Sequence, residues 1–351
     1  MRKNLLPVSF KRNVDRWREL RTVDDLAVLF RLPQHKIQLH SLKPEYRQYK
    51  IPKKDGSLRL IEDPVPALKN IQRKINFYLQ AHYFYQRPAC VHGFTTSPKY
   101  TEKRSILTNA QVHLNQPYLI NIDLEDFFHQ VHANLVRRIF RRQFKAMSDD
   151  LVELLVRLTT RWERLPMGAP TSPCLSNYAC LSLDANLEAL TYQGGWQYTR
   201  FADDLSFSGD ARFSKTQLEV LRNTISSAGF HINTEKFKSY GPDDVKVVTG
   251  LYLQEGRIGL PPQFLTQLDT EIQRLQAVML VEGRYQTGMS MRKLKLLKQE
   301  LQGKINFAGL VMGQAHPDIM AREDEFLQAL QAREDYESAS WLDIPYSTDY
   351  M

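Results

Sequence analysis

Among 351 residues only three are cysteine, Cys90, Cys174 and Cys180, and no two of them form a CxxC pair. That excludes a disulfide framework and a zinc ribbon, and leaves a reducing, cytoplasmic home as the expectation. No run of about 18 apolar residues occurs, so no membrane span is expected. The opening MRKNLLPVSFKRN has no long apolar core and no small-residue cleavage site, so no secretory leader is expected. Internal repeats and low-complexity tracts are absent too, which excludes solenoids and compositional linkers. Acidic charge falls short of basic charge: 47 Lys+Arg stand against 39 Asp+Glu, a formal net charge of +8. A basic balance fits a polyanionic partner such as nucleic acid. The hydrophobic fraction of 42% supplies a packed core, and the length allows two or three domains.

The most informative stretch is QYTRFADDLSFSG, residues 197–209. Apolar and short polar residues alternate, and glycines stand near both ends, so the pattern predicts a β-hairpin with Asp203 and Asp204 at its tip. A bare Asp-Asp turn is most often simply solvated. Two adjacent carboxylates repel, and they are costly together unless a cation binds. A third carboxylate is available in PYLINIDLEDFFHQVH: Tyr118 to Ile122 predicts a buried strand, and Asp123 ends it.

Around these lie ordinary elements. Val23 to Leu32 has helical spacing, with Thr22 or Asp24 as its cap. IPKKDGSLRLIEDP predicts a hairpin that presents Lys53, Lys54 and Arg59. Pro66 to Gln80 places Leu68, Ile71, Ile75 and Leu79 on one helical face, which is core. Asn109 and His113 share a face if their segment is helical. Arg137, Arg138, Arg141, Arg142 and Lys145 cover one side of a helix, either solvated or facing phosphates. LPMGAPTSPCLSNY predicts a tight loop opening a helix, with Thr171 or Ser172 at its cap. Ser214 to Ala228 is an amphipathic helix, His231 to Tyr240 an extended run, and Val245 to Leu253 a strand, with Arg257 to Leu260 as its hairpin partner. From Pro261 three helices follow, the middle one carrying Arg292, Lys293 and Lys295.

One carboxylate at a strand end and two at a hairpin tip can face each other across a sheet. That is what a two-metal phosphoryl-transfer site requires, since two Mg²⁺ ions about 4 Å apart clamp the attacking and leaving oxygens. In order along the chain, KKDGSLR, HGF, INIDLEDFF, LPMGAPTSPCLSN, FADDLSFSG, INTEKFK and VTGLYL resemble the successive blocks of reverse transcriptases, over about residues 50–255. The APTSP loop (Ala169 to Pro173), the DLSFS continuation, the NAxxH block (Asn109, Ala110, His113) and the VTG block (Val248, Thr249, Gly250) resemble the bacterial retron type.

The resemblance implies an α+β right-hand polymerase fold, with fingers, a palm of antiparallel sheet plus helices, and a helical thumb. Its boundaries are residues 1–116 for the fingers, 117–260 for the palm (135–165 returning to the fingers side), 261–333 for the thumb and 334–351 for an acidic flexible tail. It implies that Asp123, Asp203 and Asp204 hold two Mg²⁺ ions for a dNTP substrate, and that Arg59 with Lys53 or Lys54 binds the triphosphate. Phe128 would exclude a 2′-hydroxyl, Gly168, Ala169 and Pro170 would shape the base-pair pocket, and Lys236 would sit by the triphosphate. Asn109, His113, Val248, Thr249, Gly250, Arg292, Lys293 and Lys295 would recognise RNA. The implied activity copies part of a cognate structured non-coding RNA, both template and primer, into branched msDNA, an RNA–DNA hybrid, in anti-phage defence beside an effector or toxin protein. A non-retron defence reverse transcriptase and an RNA-binding scaffold of an antitoxin kind are the alternatives. Two positions depart from the family pattern: Phe201 stands where many relatives have Tyr, and Met167 where Gln is usual.

Overall fold

Two separate sets of buried apolar side chains divide the chain into a unit of Met1–Thr249 and a unit of Gly250–Met351. The computed structural model describes residues 8–342 except 54–55, 100, 255 and 280–288.

The first unit opens with helices α1 (Val8–Arg18), α2 (Val23–Phe30) and α3 (Gln34–Leu42). Thr22 caps α2 in a capping box with Asp25, and Arg31 closes it in the left-handed region. Strands β1 (Tyr46–Pro52) and β2 (Leu58–Pro64) form the expected hairpin, paired from Tyr46↔Pro64 to Pro52↔Leu58. Lys54 lies outside the described residues. Helix α4 (Pro66–Phe84) starts with proline in its first turn and buries Leu68, Ile71, Ile75 and Leu79.

The sheet that matters for function has the order β4-β5-β3-β6 and is antiparallel throughout. Its strands are β3 (Tyr118–Leu124), β4 (Gln197–Phe201), β5 (Asp204–Gly209) and β6 (Ile232–Tyr240). Alternation of side chains sorts DLSFS onto two faces. Leu205 and Phe207 join Tyr198 in the core, while Asp204, Ser206 and Ser208 share the opposite face with Asp123 and Asn121. Helices α5 (Ile106–Val112), α6 (Ala133–Gln143), α7 (Asp149–Thr159), α8 (Ser172–Ala179), α9 (Leu181–Gln193) and α10 (Lys215–Ser227) complete the unit with the short strand β7 (Lys246–Val248). α5 and α9 lie against β4, and α10 against β6. On α6, Arg137 is bound by Glu153 and Arg141 by Asp149, both from α7, so these two are not free for phosphates.

The stretch Val245 to Leu253 is not one strand. Thr249 (φ 48°) and Gly250 (φ 81°) both adopt the left-handed region and end β7. The second unit then has β8 (Leu251–Gln254) paired with β9 (Arg257–Gly259), followed by helices Pro262–Met279, Met291–Met312 and Pro317–Leu342. They pack Leu268, Ile272, Leu275, Leu301, Ile305 and Phe326 together. The last helix runs past residue 333, because Ala, Arg and Glu continue the segment with no proline before Pro345. Residues 343–351 lie outside the described residues. Among the described residues no helix is long and apolar enough to cross a membrane.

Candidate active site

Ala202 and Asp203 form the two-residue loop between β4 and β5, and Phe201 pairs with Asp204 across it. Ala202 has φ 60°, a positive value at the first loop position that hairpins with two-residue turns favour. Asp123 is the register partner of Asp204 on β3, and the Leu124 amide donates to the Asp203 carbonyl at 3.0 Å. The three predicted carboxylates are thus brought to one end of one sheet. Register shifts between Asn121 and Asp123 where β3 meets β6, an irregularity of the kind that re-aims a side chain next to an active site.

Two supports fix the turn from beneath and beside. Arg200 is fully buried and makes a bidentate pair with buried Asp184 at 2.8 and 2.7 Å. The same guanidinium donates to the Ala202 carbonyl at 3.1 Å and to Asn177 Oδ1 at 3.0 Å. Asn177 in turn donates to the Gly93 carbonyl at 3.1 Å. His92-Gly93-Phe94 runs beside the turn, and a Cβ on Gly93 would lie 2.5 Å from the Ala202 nitrogen, so only glycine allows this approach.

The electrostatics of the carboxylates are unfavourable as they stand. Burial pushes Asp204 up to about 7, with the charges of Asp203 and Asp123 adding to it. Burial also raises Asp203, against its own backbone hydrogen bond, and the Asp123 charge adds to the rise. Lys236 answers part of this charge: its Nζ donates to Asp123 Oδ1 at 3.0 Å, which raises the Lys236 pKa and keeps it protonated. Arg59, exposed on β2, stabilises the charged form of Asp203.

Among the described residues no group of three or more His, Cys, Asp and Glu side chains forms a ready metal cage. Mg²⁺ seldom uses an all-protein cage; it takes one or two carboxylates and completes its shell with water and substrate phosphate. Mutually repelling carboxylates short of positive charge fit such an ion.

A second polar centre, absent from the sequence reading, holds the loop that contains Gly168, Ala169 and Pro170. Glu62 on β2 is fully buried. Its carboxylate accepts from Arg164 at 2.8 Å and Arg161 at 3.2 Å, and His129 Nε2 lies 3.5 Å away. Burial raises the Glu62 pKa, but the Arg164 hydrogen bond and the nearby charges outweigh it and the group ends below its ordinary range. The Glu62 amide donates to the Met167 carbonyl at 2.7 Å, so β2 and the loop share backbone bonds as well. Gly168 (φ 124°) packs where a Cβ would meet the Glu62 carbonyl at 3.0 Å. His129 belongs to the 3₁₀ turn Phe127–Gln130, which also carries Phe128, whose ring stacks on Phe94 at 5.8 Å. Thr171 takes the cap position of α8 with no side-chain cap bond, while the Ser172 hydroxyl bonds back to Pro166.

Arg161-Trp162-Glu163-Arg164 is a tight turn closed by backbone bonds between the two arginines at 2.8 and 3.1 Å. Trp162 (φ 49°) and Glu163 (φ 57°) are both left-handed, where Asn and Gly would be expected. Such positions store strain of about 1–3 kcal/mol each.

The predicted RNA-recognition residues separate. Asn109 and His113 are fully buried and cannot meet an RNA directly in this structure. The His113 ring bonds the hydroxyls of Ser208 and Thr199, both at 2.7 Å, and burial pushes its pKa down to about 3. Asn121 accepts from Ser206 and donates to the Val247 carbonyl, and Thr249 Oγ1 bonds Ile106. His113 of the NAxxH block thus bonds Ser208 of the DLSFS run directly, Ser206 reaches the Val247 carbonyl through Asn121, and Thr249 bonds the start of α5. Val248 is buried. Gly250, Arg292, Lys293 and Lys295 are exposed. Lys53 is exposed in the hairpin loop, where its amide bonds the Ser57 carbonyl.

Reverse transcriptase (RNA-dependent DNA polymerase) is the family that matches this chain, over residues 51–251. The chain is 32% identical over 237 residues to the retron Mx162 reverse transcriptase of Myxococcus xanthus, covering 59% of this chain and 46% of that one. It is 33% identical over 176 residues to the retron Ec83 reverse transcriptase of Escherichia coli, covering 48% and 54%. With the retron Ec86 reverse transcriptase of Escherichia coli the identity is 30% over 237 residues, covering 66% and 70%. The chain spans about half the length of the first two relatives. A family match across more than half of the chain, and a relative at 30% identity spanned for 70% of its length, establish that the chain belongs to the reverse transcriptase family, in its bacterial retron type.

Proposed function

We propose that this chain is an RNA-directed DNA polymerase of retron type, copying part of a cognate structured RNA that serves as template and primer. The observation that carries the proposal is the gathering of Asp123, Asp203 and Asp204 at one sheet end, with Asp204 pushed up to about 7 by burial and by the charges of its two neighbours. When bound there, two Mg²⁺ ions would neutralise the attacking and leaving oxygens of an in-line displacement. The chain's own residues do the rest. Arg59 and Lys53 bind the triphosphate. Lys236, held protonated beside Asp123, can give a proton to the departing pyrophosphate. Phe128, fixed between Phe94 and Phe127, lies under the sugar and excludes a 2′-hydroxyl. Gly168, Ala169 and Pro170 wall the new base pair. Arg292, Lys293 and Lys295 on their exposed helix face contact a phosphate backbone, while Asn109, His113 and Val248 act only through the packing of α5.

The test is dNTP incorporation by the protein purified with its own RNA, beside the Asp203→Asn/Asp204→Asn variant. Equal incorporation by the two sinks the proposal. The product is expected to migrate with RNA until ribonuclease treatment, as a branched RNA–DNA hybrid does. Phe128→Ala is expected to admit NTPs; unchanged sugar selection removes Phe128 from its role. Anti-phage defence beside an effector protein completes the proposal, and loss of protection in the double variant, in cells carrying the intact locus, checks it.

A further inference from the structure

Trp162 stands at a position whose backbone disfavours tryptophan. Its turn asks for Asn or Gly, and a bulky residue at φ 49° is an outlier. The side chain nonetheless remains 62% exposed, whereas Trp17 and Trp196 are buried. The surroundings hold it firmly. The Arg161 guanidinium lies over the indole at 3.9 Å and that of Arg164 at 5.6 Å. Both arginines are tied to buried Glu62. The Glu163 carbonyl accepts from the Ala133 amide at 2.8 Å, and the Leu165 amide donates to Val131 at 3.1 Å. An outlier backbone persists only where its surroundings over-determine it, and such places cluster at ligand sites.

We infer that Trp162, backed by Arg161, is a stacking platform for an unpaired nucleobase of the template strand next to the base-pair pocket. Guanidiniums lie against the ring, and most of the side chain is still open to solvent. Base–aromatic stacking needs no particular base, so such a platform serves any template sequence. Its place follows from the chain: Trp162 is six residues before Gly168, at most about 20 Å along extended backbone. Glu62 bonds both this turn and the Met167 amide, so the platform and the pocket wall share one anchor. The inference rests on the polymerase proposal for the identity of the strand.

The test measures binding in chelator, with chemistry off, to two primed RNA templates: one with a long unpaired template overhang, one without. Trp162→Ala is expected to weaken binding about tenfold with the overhang and to leave binding without it near the wild-type value. The overhang is also expected to quench a tryptophan signal in the wild type that Trp162→Phe lacks, while Trp162→Phe keeps most of the affinity. A second variant, Trp162→Asn/Glu163→Gly, suits the turn and removes the ring; it is expected to show the same selective loss with a raised Tm. Equal affinity on both templates, or an equal loss on both, overturns the inference. Failure of the wild type to incorporate dNTP overturns the polymerase proposal, while the overhang ratio still reports on Trp162.

Discussion

Glu62 is a fully buried carboxylate and Asp204 a half-buried one, and the chain treats them in opposite ways. Glu62 receives two guanidiniums and a backbone amide, and ends below its ordinary range. Among the described residues Asp204 receives no hydrogen-bonded cation; it stands beside two more carboxylates and ends at about 7. A buried charge that is fully paired is finished; it fixes geometry and asks for nothing more. A buried charge left among like charges is unfinished, and the missing part is a cation. The difference separates a structural clamp from a functional centre by electrostatics alone, without reference to any relative.

The sharpest way to break this contrast is to neutralise each centre. Asp203→Asn/Asp204→Asn is expected to lower dNTP incorporation by about 10⁴-fold, or about 5 kcal/mol of barrier, while chemical denaturation in chelator shows no loss of stability. A destabilised double variant contradicts the view of that site as unfinished. Glu62→Gln is expected to do the reverse in stability. It leaves two guanidiniums unanswered and costs about 3–5 kcal/mol in a denaturant titration. A loss below about 1 kcal/mol would mean that the clamp is not what holds the loop.

The two centres also predict opposite pH behaviour. Folded Asp204 keeps its proton to about 7, against an ordinary 3.8 when unfolded. Between those values the folded chain binds more protons, so this group lowers stability as pH rises. Wild-type stability in chelator should therefore fall behind that of Asp204→Asn, from no gap near pH 4 to about 3 kcal/mol near pH 7. Glu62 works the other way: its contribution is present above the ordinary 4.5 and is lost as pH falls through its lowered value. His82, His92 and His113, pushed down to about 4, 4 and 3 by burial, also lose stability as pH falls below 6.5. They are common to both proteins and cancel in the difference. Added Mg²⁺ should close the gap by binding the folded wild type. A gap that ignores both pH and Mg²⁺ refutes the assignment of Asp204.

What could be seen in the sequence was what lies close together along it. The Asp203-Asp204 hairpin, the Asp123 strand and the blocks between them are contiguous patterns, and local alternation was enough to place them. The supports were not visible because their partners stand far apart: Glu62 meets Arg161 and Arg164 across 99 and 102 positions. Asp184 did carry a signal. It falls on the apolar face of α9 beside Leu183 and Leu187, where a lone carboxylate needs a buried partner. Asn109 and His113 show the converse: only the resemblance implied an RNA role for them. Spacing showed that they share a helical face, but not that the face points inward to Ser208 and Thr199.

The smallest expected effect tests whether the paired centre is only structural. If Glu62 merely stapled a loop, selection for stability would favour Asn-Gly in the turn it holds, since both positions need φ > 0. The chain has Trp162-Glu163 there instead. Trp162→Asn/Glu163→Gly is expected to stabilise the protein by about 1 kcal/mol: relief of two left-handed side-chain clashes outweighs the extra backbone freedom that glycine gives the unfolded chain. The gain should appear in the denaturation midpoint with an unchanged slope. A more stable protein that grips an unpaired template less well would show that Glu62 holds a strained, working surface as well as a loop. A destabilised variant would show that the tryptophan packs usefully on Arg161, and the contrast between a finished and an unfinished carboxylate would then stand in its simpler form.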